Sequence, residues 1–186
     1  MSDITQKALE RSLKKLLLTK PLSKITVSDI TDDCKVNRMT FYYHFTDIYD
    51  LIKWICLQNA DEALDNNKTY DTWQQGLLNI FNIIRKNKVF VESVYRDMDR
   101  RVIERYLHPQ VHNLIMGVVE EKSDGMAVCD KDKNFIASFL EYAFEGMIYA
   151  WIESGMKEDP EYLVSSASVI IQGDVALALK EFSNRA

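Results

Sequence analysis

The chain reads as all-α, because apolar residues recur at helical spacing in nearly every segment and the breaks fall at proline, glycine or capping residues. Residues 4–19 bring Ile4, Ala8, Leu9, Leu13, Leu16 and Leu17 near one stripe, and Pro21 stops that helix. Thr26 followed three residues later by Asp29 resembles a capping box, opening a helix of about two turns with Val27, Ile30 and Cys34 on one face. Lys35, Val36 and Asn37 then break the period. Val36 suits the corner between two helices, and Asn37 can accept from the first free amides of a second short helix starting at Arg38. In that helix Phe41 shares a face with Phe45, while Arg38, Thr40, Tyr42, Tyr43 and His44 spread around the rest.

The remaining segments continue the helical pattern. Residues 48–65 carry Ile48, Leu51, Ile52, Ile55, Cys56 and Ala60, and the Asn66-Asn67-Lys68-Thr69 run marks their end. Helices are expected over about 72–86, 88–97 and 99–121, with a break at Asn87 and a loop beginning at Ser123-Asp124-Gly125. A long apolar helix over 132–154 ends at Gly155, and Asp159-Pro160 caps a last one running to about Phe182. Residues 1–47 are expected to form a three-helix head and residues 48–186 a helical body.

Composition narrows the function classes. A chain of 186 residues buries roughly 70% of its unfolded surface, so no disulfide framework is needed. Cys34, Cys56 and Cys129 are odd in number and far apart, which argues for a reducing compartment and against a CxxC metal site. The N-terminal MSDITQKALERS lacks a signal core, and no apolar run was expected to reach the ~18 to 20 residues of a bilayer span. A cytoplasmic protein with no membrane partner is the expectation. Net charge is −5, yet residues 1–53 hold nine Lys plus Arg against seven Asp plus Glu, leaving the rest at −7. Any attraction to phosphate must therefore come from a small, well-placed positive footprint. There is no glycine-rich phosphate loop, nucleophile elbow or distinctive carboxylate pair, so no enzyme and no cofactor are expected.

The second short helix carries the chemistry. Arg38, at its start, offers a planar fork that suits guanine O6/N7 or a phosphate, and Thr40 offers a hydroxyl and a methyl. Tyr42, Tyr43 and His44 combine polar tips with flat apolar bodies, which suits a sugar-phosphate wall. A plain amphipathic hairpin would also bury Phe41 and Phe45 and leave the tyrosines at the surface, so these residue types alone leave both readings open.

In their order, however, Thr26, Val27, Asp29, Ile30, Val36, Thr40, Phe41, Tyr42, His44, Phe45 and Leu51 fall in register with the pattern T-V-x-D-I-x-x-x-A-x-V-x-x-x-T-F-Y-x-H-F followed by an acidic, leucine-containing helix. The segment resembles the helix-turn-helix of the TetR family of bacterial transcription regulators. Length and aromatic content resemble, more specifically, its dihydroxyacetone-kinase-regulator-like subgroup. The resemblance implies a double-stranded DNA operator contacted by Thr26, Ser28, Lys35, Arg38, Met39, Thr40, Tyr42, Tyr43, His44 and Lys53. Three departures stand out. Lys35 occupies the usual glycine position of the turn, where a left-handed backbone would cost roughly 1 kcal/mol. Cys34 replaces a small alanine and is expected to pack. Ile48 stands where a phosphate-contacting lysine is usual, with Lys53 a substitute one turn later.

Small residues dot the last two helices: Ala137, Ala143, Gly146 and Ala150 in one, Ser165, Ala167, Gly173, Ala176 and Ala178 in the other. The resemblance implies a homodimer built from these helices, and a two-fold operator requires a two-fold protein. It also implies an effector pocket in the body. Trp73, Phe81, Phe90, Tyr95, Tyr106, Phe139 and Tyr142 are its candidate walls, facing an unidentified small molecule, with a protein co-regulator as the alternative. Glu104, His108 and His112, spaced four apart, form a weak metal-like set that Pro109 threatens to spoil, and surface histidines explain them better. A divalent-metal-sensing regulator, and a helical binding or enzyme-like body whose head no longer binds DNA, are the competing functions.

Overall fold

Local capping sets the first elements. In the computed structural model the Thr26 hydroxyl accepts the Asp29 amide while Asp29 accepts the Thr26 amide, and Asn37 Oδ1 accepts the Met39 amide at 2.9 Å. Both starts fall where the sequence placed them. The structure describes residues 2–64, 69, 71–171 and 174–185, without the side chains of residues 2, 103, 105–107, 110, 113 and 114. All regular structure among them is helical. The expected stop at Asn66, Asn67 and Lys68, the side chain of Tyr106, and Gly173 lie outside the described residues.

In chain order the elements are α1 Ser2–Leu16, a 3-10 turn Leu22–Lys24, α2 Val27–Asp33, α3 Arg38–His44 and α4 Ile48–Leu64. They are followed by α5 Trp73–Lys86, α6 Lys88–Asp97, α7 Arg100–Lys122, α8 Asp130–Glu153, α9 Pro160–Ile171 and α10 Asp174–Ser183. Two compact units emerge: Met1–Asn59 with Lys86–Tyr106, and Ala60–Arg85 with Leu107–Ala186. The expected division at 47/48 falls inside the first unit.

The first unit closes around Leu9 and Leu13 of α1, Ile30 of α2, Phe41 of α3, and Leu51 and Ile55 of α4, all without exposed surface. Burying each such side chain is worth roughly 1.5 to 3 kcal/mol before entropy is counted. Ser12, buried in α1, donates to the Ile30 carbonyl at 2.9 Å and so ties α1 to α2. Phe90 and Val94 of α6 complete this core, a contact between distant segments. Ile4, expected on the α1 stripe, lies in the first turn of α1 and is 72% exposed, outside the core that begins at Leu9.

The second unit has its own core of Ile115, Val119, Ile136, Ala137, Leu140, Val175 and Leu179. Trp73 tilts against Phe144 with ring centroids 5.7 Å apart, and Phe81 meets Trp151 edge-on at 4.9 Å. α8 ends in a Schellman turn: Gly155 takes φ 79°, its amide donates to Ile152 O, and the Met156 amide donates to Trp151 O. Trp151 Nε1 pins the following loop by donating to the Glu158 carbonyl at 2.9 Å. α7 continues through Pro109 without restarting. Residues Pro160–Ser183 are long and apolar enough to cross a membrane by length and composition, which corrects the expectation that no such run exists. The expectation failed because Asp174 and Lys180 interrupt the run to the eye without making it polar on average.

Candidate nucleic-acid interface

α3 is seven residues long and divided by its burial. Phe41 is fully enclosed and Phe45, its C-cap, is 3% exposed, which leaves every other side chain to face outward or lie along the rim. Tyr43 is 83% exposed and Met39 73%, large apolar bodies held in solvent on a helix whose other side is core. Arg38 Nη2 donates toward the Tyr42 hydroxyl at 3.5 Å, so the guanidinium and phenol share one edge. The Tyr43 ring stands edge-on to His44 at 5.0 Å. Thr40 is half-buried beside them.

The turn before α3 is the left-handed version. Lys35 takes φ 56°, so the glycine position is filled by a strained lysine and the turn is not rebuilt. Its side chain is exposed. Cys34 packs against the core, donates its thiol to Ile30 O at 3.0 Å, and is pushed up in pKa by burial, the profile of an inert packing thiol. Thr26 is occupied by the cap, and Ser28 is half-buried on α2.

Electrostatics favours the same edge. Lys7 and Lys14 pair with Glu10, Lys15 with Asp33 and Lys20 with Asp29. Each of those cations already faces a carboxylate, Lys7 and Lys14 sharing one. Among the described residues neither Lys35 nor Arg38 has an ion-pair partner, so their charge is available to an incoming anion. Ile48 packs on the core, and Asp47 Oδ1 beside it accepts the Asp50 amide at 2.8 Å, so the start of α4 offers an apolar side chain and a capping acid and no cation. Lys53 lies half-buried further along α4. Tyr49, 53% exposed at the same end, escaped sequence reasoning because the helical period alone did not set it apart.

The family described as "Transcriptional regulator C-terminal region", of the TetR type, matches residues 71–173. A relative from Lactococcus lactis subsp. lactis, named "HTH-type dhaKLM operon transcriptional activator DhaS", is 30% identical over 140 residues, covering 74% of each chain. The chain belongs to the TetR family of transcriptional regulators. A solved structure named "Dihydroxyacetone kinase operon activator DhaS" superposes with a TM-score of 0.76 at 25% identity, covering 94% of this TetR-family chain and 97% of its own.

The expected effector walls divide between the two units of this TetR-family regulator. Phe90 is a core residue of the first unit, and Tyr95 is half-buried on the same helix. Trp73 and Phe81 are second-unit core, committed to Phe144 and Trp151. Phe139 and Tyr142 are exposed by 66% and 64% on the outside of α8, too open to wall a pocket within one chain. Aromatic content marked burial in general, and periodicity could not separate core from cavity.

The metal-like set is also rearranged. Glu104 pairs with Arg100 at 2.7 Å and lies in the first unit, whereas His108 and His112 lie in the second. There His108 Nδ1 sits 2.9 Å from Glu141 Oε1 and 3.3 Å from Glu145 Oε1, and His112 Nδ1 lies 3.0 Å from Glu141 Oε2. The two glutamates were missed because they come from α8. Their spacing of four, matching that of the histidines, was the available signal.

Proposed function

We propose that this chain is a homodimeric, effector-responsive transcription regulator that binds an inverted-repeat operator through α2, the Lys35 turn and α3. The observation that carries the reading is the division of α3: Phe41 and Phe45 anchor it while Arg38, Met39, Tyr42 and Tyr43 stand in solvent. Arg38, Thr40 and Tyr42 would read base edges, and Lys35, Tyr43 and His44 would hold phosphate and sugar. Thr26, Ser28 and Lys53 would support the backbone contacts. Residues 1–47 are the functional head in this reading, although α4 and α6 complete its core.

An exposed apolar surface supports the dimer. Phe135, Phe139 and Tyr142 of α8 and Tyr162, Val169, Ile170 and Leu177 of α9 and α10 are each more than half exposed. A groove on this surface is lined by Phe135, Phe139, Ile170 and Phe182. Apolar side chains in such number favour a protein partner, and a second copy of the same helices completes a four-helix interface. The apolarity of 160–183 belongs to that interface in this reading, and the protein works in the cytoplasm. An effector, small molecule or co-regulator, acts on the second unit by favouring one of two states of different operator affinity.

Footprinting on DNA flanking the protein's own gene tests the proposal. Two protected half-sites about one helical turn, or a multiple, apart are expected. Absence of protection at protein concentrations that form the dimer would leave the helical-body alternative in its place.

A further inference from the structure

Glu141 is a carboxylate with no exposed surface, facing two histidines, and its Oε1 makes no hydrogen bond. His108 Nδ1 lies only 2.9 Å from that oxygen, so the two atoms are close without being joined by a proton in good geometry. The single donor with good geometry, His112 Nδ1, serves Oε2. An isolated buried carboxylate oxygen costs several kcal/mol, and such an orphan next to a nitrogen and a second carboxylate points to a missing cation.

We infer that His108, Glu141 and Glu145 bind a divalent first-row transition ion, with zinc the best match. The three offer one nitrogen and two oxygens that lie within 4.8 Å of one another. His108 Nδ1 stands 2.9 and 3.3 Å from the two carboxylate oxygens. Ligands about 2.0 to 2.2 Å from a tetrahedral zinc are separated from each other by roughly 3.3 Å, so both His108–carboxylate separations already lie within a few tenths of an ångström of that spacing. Mixed imidazole and carboxylate donors suit zinc and its neighbours better than magnesium or calcium, which prefer oxygen alone. Charge agrees. The two carboxylate ligands together carry −2, and one dication cancels it.

The surroundings complete the arrangement. His112, donating to Oε2, holds the Glu141 carboxylate so that Oε1 faces His108, the role of an outer partner that orients a ligand. The His108 side chain is 38% exposed, so the ion has access from solvent and a fourth coordination position stays open. The continuous path of α7 through Pro109 keeps His108 and His112 on one face, opposite Glu141 and Glu145 on α8.

The test uses the full chain and zinc alone, without DNA, so its outcome is independent of operator binding. After dialysis against chelator, competition with a chromophoric zinc indicator is expected to give one ion per chain. Glu141→Gln, Glu145→Gln and His108→Ala should each weaken binding at least tenfold, while Glu104→Gln leaves it unchanged. Glu145 is less enclosed than Glu141, so E145Q supplies a folded variant should E141Q unfold. Cobalt(II) in the same site should show the visible bands of a low-coordinate ion without thiolate charge transfer. The inference is overturned if zinc fails to bind stoichiometrically, if binding survives both H108A and E145Q, or if the cobalt spectrum shows a cysteine ligand.

Discussion

Thr26 and Asp29 cap each other: the Thr26 amide and hydroxyl donate to Asp29 Oδ2 at 2.7 and 2.8 Å, and the Asp29 amide returns a bond to Thr26 Oγ1 at 3.2 Å. Lys20 adds a contact to Asp29 Oδ1 at 2.8 Å. The two residues thus fix where α2 begins and, through the turn that follows, where α3 points.

That cap makes head stability dependent on acid. The Lys20 ammonium, followed by the Thr26 amide and hydroxyl, holds the Asp29 carboxyl down at about 2 from its ordinary 3.8. A depressed carboxyl stabilises the fold fully above its unfolded value, and the contribution fades as pH falls toward the folded one. Asp29→Asn should therefore lower the urea midpoint at neutral pH, and its gap to the parent should narrow as pH drops from roughly 5 toward 2. A gap that stays constant over that range contradicts the assignment.

Lys35 pays for its left-handed φ of 56° in conformational strain. Glycine accepts that conformation freely but gains entropy when unfolded, so Lys35→Gly should stabilise the protein by the difference, up to about 0.5 kcal/mol net. Operator affinity should fall in the same variant if the lysine meets phosphate. Chemical denaturation and DNA titration read the two effects separately, and destabilisation by glycine would show that the turn is held by the lysine side chain.

Gly146 tests the dimer cleanly. A Cβ added there meets nothing within 4 Å in the single chain, so a larger side chain is free of intramolecular clash. Gly146→Glu and the exposed Ala176→Glu should each raise the dimer dissociation constant tenfold or more, because a desolvated carboxylate in a helix contact costs over 1.4 kcal/mol. Sedimentation of both variants as dimers of unchanged affinity places the interface elsewhere.

Legibility in the sequence followed the range of the forces involved. The Thr26–Asp29 cap, the Asn37 cap and the Gly155 turn are local, decided within a few residues, and could be recognised from order alone. The register of Phe41 with Phe45 was equally plain. Phe90 was not, because its place in the same core as Leu9 and Phe41 joins distant segments in a way that no period encodes. The histidines were visible as a pair, yet their partners Glu141 and Glu145 come from another helix, so the sequence pointed to Glu104 on their own. Phe139 and Tyr142 carried an apolar signal whose direction, inward or outward, only the packed body decides.

Fluorescence anisotropy of a labelled operator over a salt series tests the central claim, that α3 reads DNA. Arg38→Ala should cost about 1 to 3 kcal/mol per half-site and relax preference at one base position, the signature of a bidentate base contact. Tyr43→Phe should weaken all sequences alike, as loss of a phosphate contact does. Operator affinity unchanged in both variants would contradict the account of α3 as the recognition helix.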